Sequence, residues 1–282
     1  MSEATGRAAR RTVQALNHRV MCELEAAALA CIGAEPAVGA DAGVRHVVLV
    51  DEAAFGDDGT RAELARRARA GVALEYVRDV AGVDAALARM RGRGGDFARL
   101  ASISVLFHGQ ARDARGAALD ACCADFGARA AAVCVLGKWI GVDAKTVDEL
   151  KQIADVDASA SAASRAKYPD YWAVRDALRG ANAAARGAEI YLYACSLASI
   201  GGLRDLFAGC GYTVLGSTDV TGPAPRGNWD VEWCNTGHAP TDDQRLHASR
   251  ALFDDPDAMG LELRGGARAM GLIGTNGRNG RV

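Results

Sequence analysis

A histidine and a cysteine in this chain each stand at the end of an apolar run. Leu100 to Phe107 leads into His108-Gly109, and Ala188 to Ala194 leads into Cys195-Ser196. A cysteine attacks an acyl carbon as the thiolate. A neighbouring imidazole takes its proton and later delivers one to the leaving amine. Gly109 has no side chain, so its backbone N–H can approach a substrate carbonyl and, with the N–H of Cys195, form an oxyanion hole. One donor in that role contributes on the order of 3 kcal/mol to lowering the barrier. Both residues also have a plainer reading. Glycine often ends a strand, and a cysteine closing an apolar strand is more often packing than nucleophile.

The elements around the pair decide whether it can meet. Val44 to Val50 reads as a strand ending on Asp51-Glu52, followed by a charged helix over about Arg61 to Arg69 and a stop at Gly71. Val72 to Val77 reads as a second strand, Gly82 to Met90 as a second helix, and the glycine-rich turn 91–95 leads into the strand ending at His108. Alternating strands and helices at this spacing predict right-handed βαβ units and a parallel sheet, whose carboxyl ends open onto the ligand crevice. Residues 110–187 interrupt the rhythm. They hold helix-like stretches at Ala117–Ala131, Lys145–Val156 and Asp170–Ala185, and a polar alanine- and serine-rich segment from Asp157 to Lys167. Beyond Cys195 the reading is a helix near Ile200–Ala208, a strand Tyr212–Gly216, a turn-rich stretch Asp219–Asn228 and a strand Trp229–Cys234.

The totals describe an ordinary globular chain of 282 residues, 50% hydrophobic and 24% charged, with net charge −2. That balance points neither to nucleic acid nor to an anionic membrane surface. No apolar stretch reaches the roughly 20 residues a bilayer span needs, and no apolar segment follows the N-terminal arginines, so a cytoplasmic protein is expected. The eight cysteines show no C-x-x-C and no zinc spacing, so neither a metal nor a cofactor is expected. Seven of them are read as buried packing, with Cys195 set apart by its position. Residues 1–40 form an appendage with an amphipathic helix at 12–32, residues 41–240 the main domain, and residues 241–282 an extension with a mobile tail.

Four blocks together carry a family resemblance: Phe107-His108-Gly109, Tyr193-Ala194-Cys195-Ser196-Leu197-Ala198, Gly216-Ser217-Thr218-Asp219-Val220-Thr221-Gly222, and Asn228-Trp229-Asp230-Val231-Glu232. With the strand ending at Asp51, they resemble the successive blocks of caspase-like cysteine peptidases, a clan that includes metacaspases, legumain, gingipain and clostripain. The closest pattern is that of bacterial caspase-like domains. The resemblance spans about residues 44–237 and implies an α/β fold, a three-layer α/β/α sandwich with a mostly parallel central sheet. It implies His108 as base and acid, Cys195 as nucleophile, and Gly109 with Cys195 as oxyanion donors. Phe107 departs from the serine usual before the histidine, and the insert 110–187 is longer than caspases use.

In that family the end of the first strand and the loop after the strand following the cysteine line the pocket for the residue before the cut bond. Asp51 and Asp219 stand at those places, and carboxylates there favour arginine or lysine. The competing reading makes Asp51 a helix or turn cap and Asp219 an Asx-turn residue. Arg165 and Lys167, in the polar segment, form an expected self-cleavage site or else part of a flexible linker, and Arg264-Gly265-Gly266 is a weaker second candidate. The expected partners are a protein or peptide substrate and a regulatory protein. The alternative class is a catalytically silent caspase-like binding module. A thiol-redox protein is disfavoured by the lack of a resolving cysteine, and a nucleotide-binding one by the lack of a glycine-rich phosphate loop after the first strand.

Overall fold

The computed structural model describes residues 43–92, 99–120, 125–154, 158–208, 210–222 and 227–259. The helix expected at 12–32 and the Arg264-Gly265-Gly266 site lie outside them.

The β-branched, unbroken apolar runs form strands as expected. β1 (His46–Asp51), β2 (Val72–Val77), β3 (Ser102–Leu106), β8 (Glu189–Tyr193) and β9 (Val214–Gly216) run parallel, and β10 (Trp233–Cys234) closes the sheet antiparallel to β9. The order across this six-stranded sheet is β10-β9-β8-β3-β1-β2. The chain is therefore an α/β protein built on a mostly parallel mixed sheet. β1, β3 and β8 are mostly apolar, with Ser102 and Ser104 the buried polar exceptions in β3, because each face of the sheet carries its own core. Val47, Leu49, Ile103, Val105, Ile190 and Leu192 enter one apolar cluster, while Val48, Val50, Leu106, Tyr191 and Tyr193 enter the other.

Helices α1 (Glu52–Phe55) and α2 (Asp58–Arg67) follow β1, capped by the side chains of Asp51 and Asp57. α3 (Gly82–Gly92) follows β2 and buries Val83, Ala86, Leu87 and Met90. Of the helix expected at Ala117–Ala131, the described residues form only the short stretch Phe126–Arg129. β4 (Gln110–Arg112) turns into β5 (Ala118–Leu119), and Asp113 accepts the N–H groups of Arg115 and Ala117 at 2.9 Å each. This carboxylate clamp and Gly116, at φ +82°, make a hairpin where alanine content alone suggested a helix. A short helix α4 (Phe126–Arg129) then leads to β6 (Ala132–Val135) and β7 (Lys138–Gly141), completing an antiparallel sheet of order β5-β4-β6-β7.

α5 (Ala144–Ala154) and α7 (Pro169–Ala184) lie where the apolar periodicity places them. Between them, the segment expected to be an exposed linker or cleavage site is helical, α6 (Ala158–Lys167). Ser164 is buried and accepts the Trp172 indole N–H at 2.9 Å. α8 (Gly201–Ala208) follows a 3-10 turn after Cys195. The strand expected at Trp229–Cys234 is reduced to Trp233–Cys234, and Trp229 packs in the core against Tyr193 and Phe253. Residues 241–259, expected to be part of an extension, pack onto the domain: α9 (Asp242–Arg245) is followed by His247, Ala248, Leu252, Phe253 and Met259, all buried.

Candidate active site

β3 and β8 are neighbours in parallel register, with Leu106 opposite Tyr193. His108 and Cys195 each lie two residues beyond that last pair, on strands spaced about 4.8 Å apart. The Phe107 N–H still bonds the Tyr193 carbonyl at 3.1 Å, so the two chains leave the sheet side by side. Gly109 then presses on the cysteine: a Cβ there would fall 2.5 Å from the Cys195 carbonyl oxygen and 3.0 Å from its nitrogen. His108, Gly109 and Cys195 are thus brought together by adjacent strand ends.

Cys195 is 5% exposed, and its thiol donates to the Thr221 carbonyl at 3.4 Å. Ser196 adopts the left-handed region at φ +53°, which bends the chain sharply after the cysteine. The loop after β9 holds this bend. The Ser196 N–H donates to the Asp219 carbonyl, and the Ala198 N–H to the Ser217 carbonyl at 2.8 Å.

Asp51 ends β1, which pairs with β3 on the side away from β8. Its carboxylate accepts the Ala53 N–H at 2.9 Å, the cap anticipated as the competing reading. Its charge also acts on His108 at the end of the neighbouring strand. Burial lowers the His108 pKa and the Asp51 charge opposes that fall, while burial raises the Asp51 pKa against its backbone bonds and His108. The pairing of Asp51 with His108 on neighbouring strand ends depends on strand order; the sequence shows only a strand-terminal aspartate.

Asp219 is exposed. Its carboxylate accepts Asn228 Nδ2 at 2.8 Å and the Ser217 hydroxyl at 3.1 Å, so it braces its own loop. Glu232 is electrostatically coupled to it, while Asp230 is ion-paired with Arg245. Glu232 accepts the Thr218 N–H at 2.7 Å, and its pKa is raised by burial first and by Asp219 and Asp230 after. Arg165 and Lys167 stand apart from this site on α6. Arg165 pairs with Asp176 and lies 4.6 Å over the Trp172 ring, and Lys167 pairs with Glu149.

Of the cysteines read as packing, Cys210 and Cys234 are buried, but Cys134 on β6 is only half-buried and interacts electrostatically with Asp51. Among the described residues no group of three or more His, Cys, Asp or Glu is placed to hold a metal ion, and no helix is long and apolar enough to cross a membrane. Comparison of the chain with models of known families, with curated proteins and with solved structures gives no match.

Proposed function

We propose that the chain is a cysteine endopeptidase of the caspase-like type, acting through Cys195 and His108. The observation that carries this reading is the shared level of the two residues past adjacent parallel strands, with Gly109 against the Cys195 backbone. In this mechanism His108 takes the thiol proton and Cys195 Sγ bonds to the substrate carbonyl carbon. The oxyanion is received by the N–H groups of Gly109 and Cys195. Protonated His108 then gives its proton to the leaving amine as the C–N bond breaks, leaving a thioester. A water, deprotonated by His108, cleaves the thioester and restores the thiol. Asp51 serves the base: an anion beside the imidazole favours its cationic form between the two proton transfers.

The carboxylate that remains for a substrate side chain is Asp219, exposed and electrostatically coupled to the half-buried Glu232, which supports cleavage after arginine or lysine. The proposal extends to a three-layer α/β/α caspase-like sandwich, a cytoplasmic setting, a protein or peptide substrate and control by an effector or by self-cleavage. Helical α6 makes Arg165 and Lys167 cleavable only when it unwinds. A second reading, a silent binding module, draws on the low exposure of Cys195 and its bond to Thr221.

Labelling with a peptidyl acyloxymethyl ketone separates the two. Modification at Cys195 that is lost in His108→Ala supports the enzyme; a wild-type protein that stays unmodified supports the silent module. A fluorogenic peptide panel tests the pocket, where turnover of aspartate-ending substrates with none of arginine or lysine would sink the basic preference.

A further inference from the structure

The small antiparallel sheet begins directly at the base: His108-Gly109 continue into β4 without a break. Ala111, Val133, Val135 and Ile140 on this sheet are buried, so the alternate residues Gln110, Arg112, Ala132, Cys134 and Trp139 share its outer face. Register places Gln110 opposite Cys134, Arg112 opposite Ala132 and Cys134 opposite Trp139. The face begins next to the cysteine, because Gln110 directly follows Gly109, which lies against the Cys195 backbone, and pairs with Cys134. Arg112 is exposed, its guanidinium lies 4.0 Å over the Trp139 ring, and among the described residues no carboxylate forms an ion pair with it.

The order of the strands gives this face a direction. The Cys195 strand lies between β9, whose loop carries Asp219, and β3, which carries His108. The residue that protonates the leaving amine must stand on the leaving side of the nucleophile. The substrate chain beyond the cut bond therefore departs past His108, toward β4. Arg112 is three residues past Gly109, and a strand advances roughly 3.4 Å per residue, so an extended substrate reaches the guanidinium about two or three residues after the cut.

We propose that this face, centred on the Arg112–Trp139 stack, receives the leaving-side segment of a peptide substrate and selects an acidic side chain there. The proposal rests on the peptidase reading above. The Trp139 ring holds the guanidinium in place, so less side-chain freedom is lost when a carboxylate binds. A bidentate pair with a planar guanidinium gives the selectivity.

The test uses internally quenched peptides that share one arginine before the cut and carry glutamate or lysine at the second and third residues after it. The readout is the ratio of kcat/KM between the glutamate and lysine peptides within each protein, so a general loss of activity in a variant cancels. Wild type is expected to favour the glutamate peptides roughly tenfold. Arg112→Ala is expected to lose the preference and Arg112→Glu to reverse it. An unchanged ratio in Arg112→Glu overturns the proposal. An arginyl dye-amide, which has no residues after the cut, tests the underlying reading separately. Turnover of that amide by wild type with no peptide preference sinks this subsite alone, and absence of turnover of every substrate sinks both.

Discussion

Gly109 and Cys195 are in backbone contact, and the space between them does not admit a methyl group: a Cβ on residue 109 would meet the Cys195 carbonyl oxygen at 2.5 Å. Adjacent strand ends carry the proposed base and nucleophile, and the glycine lets them close on each other. Gly109→Ala is expected to force the two strand ends apart at a cost of about 1–3 kcal/mol and to reduce kcat/KM far more than that cost reduces the folded fraction. Gly201, at the start of α8, has open space where a methyl would point, with no neighbouring atom within 4 Å. Gly201→Ala should therefore leave stability unchanged or raise it by up to about 1 kcal/mol. Urea unfolding of both variants, with kinetics on the same samples, checks the contrast.

Asp51 and His108 end neighbouring strands, and the Asp51 charge resists the fall in the imidazole pKa that burial causes. The base works when neutral, so the acid limb of the kcat/KM profile should lie below the ordinary histidine value near 6.5. Asp51→Asn keeps an oxygen to cap Ala53 but removes the charge, so that limb should move further toward acid. Movement toward alkaline pH, or none, would show that the carboxylate does not act on the imidazole.

A second histidine network clamps residues 241–259 to the sheet. The Ser102 hydroxyl hydrogen-bonds His46 Nδ1 at 2.8 Å and His247 Nε2 at 2.9 Å, and the Tyr193 hydroxyl hydrogen-bonds His247 Nδ1 at 3.0 Å. Tyr191 stacks on His247 with ring centroids 3.7 Å apart. Burial, and secondarily His46, lowers the His247 pKa to about 3 from 6.5. The unfolded chain therefore binds a proton that the native one refuses, so stability is full above pH 6.5 and falls as pH drops toward 3. Between pH 7 and pH 4 the loss from this residue is about 3 kcal/mol. His46 and His108, also lowered by burial, add to the loss in the same direction. His247→Gln should flatten the pH dependence of the urea midpoint over that range while lowering its value at pH 7.

Arg165 and Lys167 are fastened rather than free. Trp172 donates to buried Ser164 and carries the Arg165 guanidinium over its ring. Trp172→Ala should loosen α6 and speed added-trypsin cleavage after Arg165 or Lys167 at least roughly tenfold. Equal cleavage rates in wild type and variant would mean that the helix offers no protection. Intact-mass comparison of wild type with Cys195→Ala then reports any self-made cut, since a fragment present in both is not self-made.

Runs such as Val47–Val50 and Ile103–Leu106, broken only by Ser104, are legible as strands without tertiary information, because residues buried on both faces of a sheet are predominantly apolar. The same runs announced the residues at their ends, so His108, Cys195 and Asp51 could be picked out from the chain alone. The composition of Ala117–Ala131 is misleading: alanines favour helix, but the Asp113 clamp and the turn at Gly116 carry the chain into a hairpin. The serine-rich stretch before Tyr168 looked like a linker because its fastening partners, Trp172, Asp176 and Glu149, lie later or earlier in the chain.

Amino-acid order thus determined which segments became strands and which reactive groups ended them. Strand order, a non-local property, decided who faces whom. Placing β3 between β8 and β1 sets Cys195 on one side of His108 and Asp51 on the other. Only the folded sheets bring Thr221 to the thiol and Arg112 over Trp139, because those contacts join segments that local preferences cannot align.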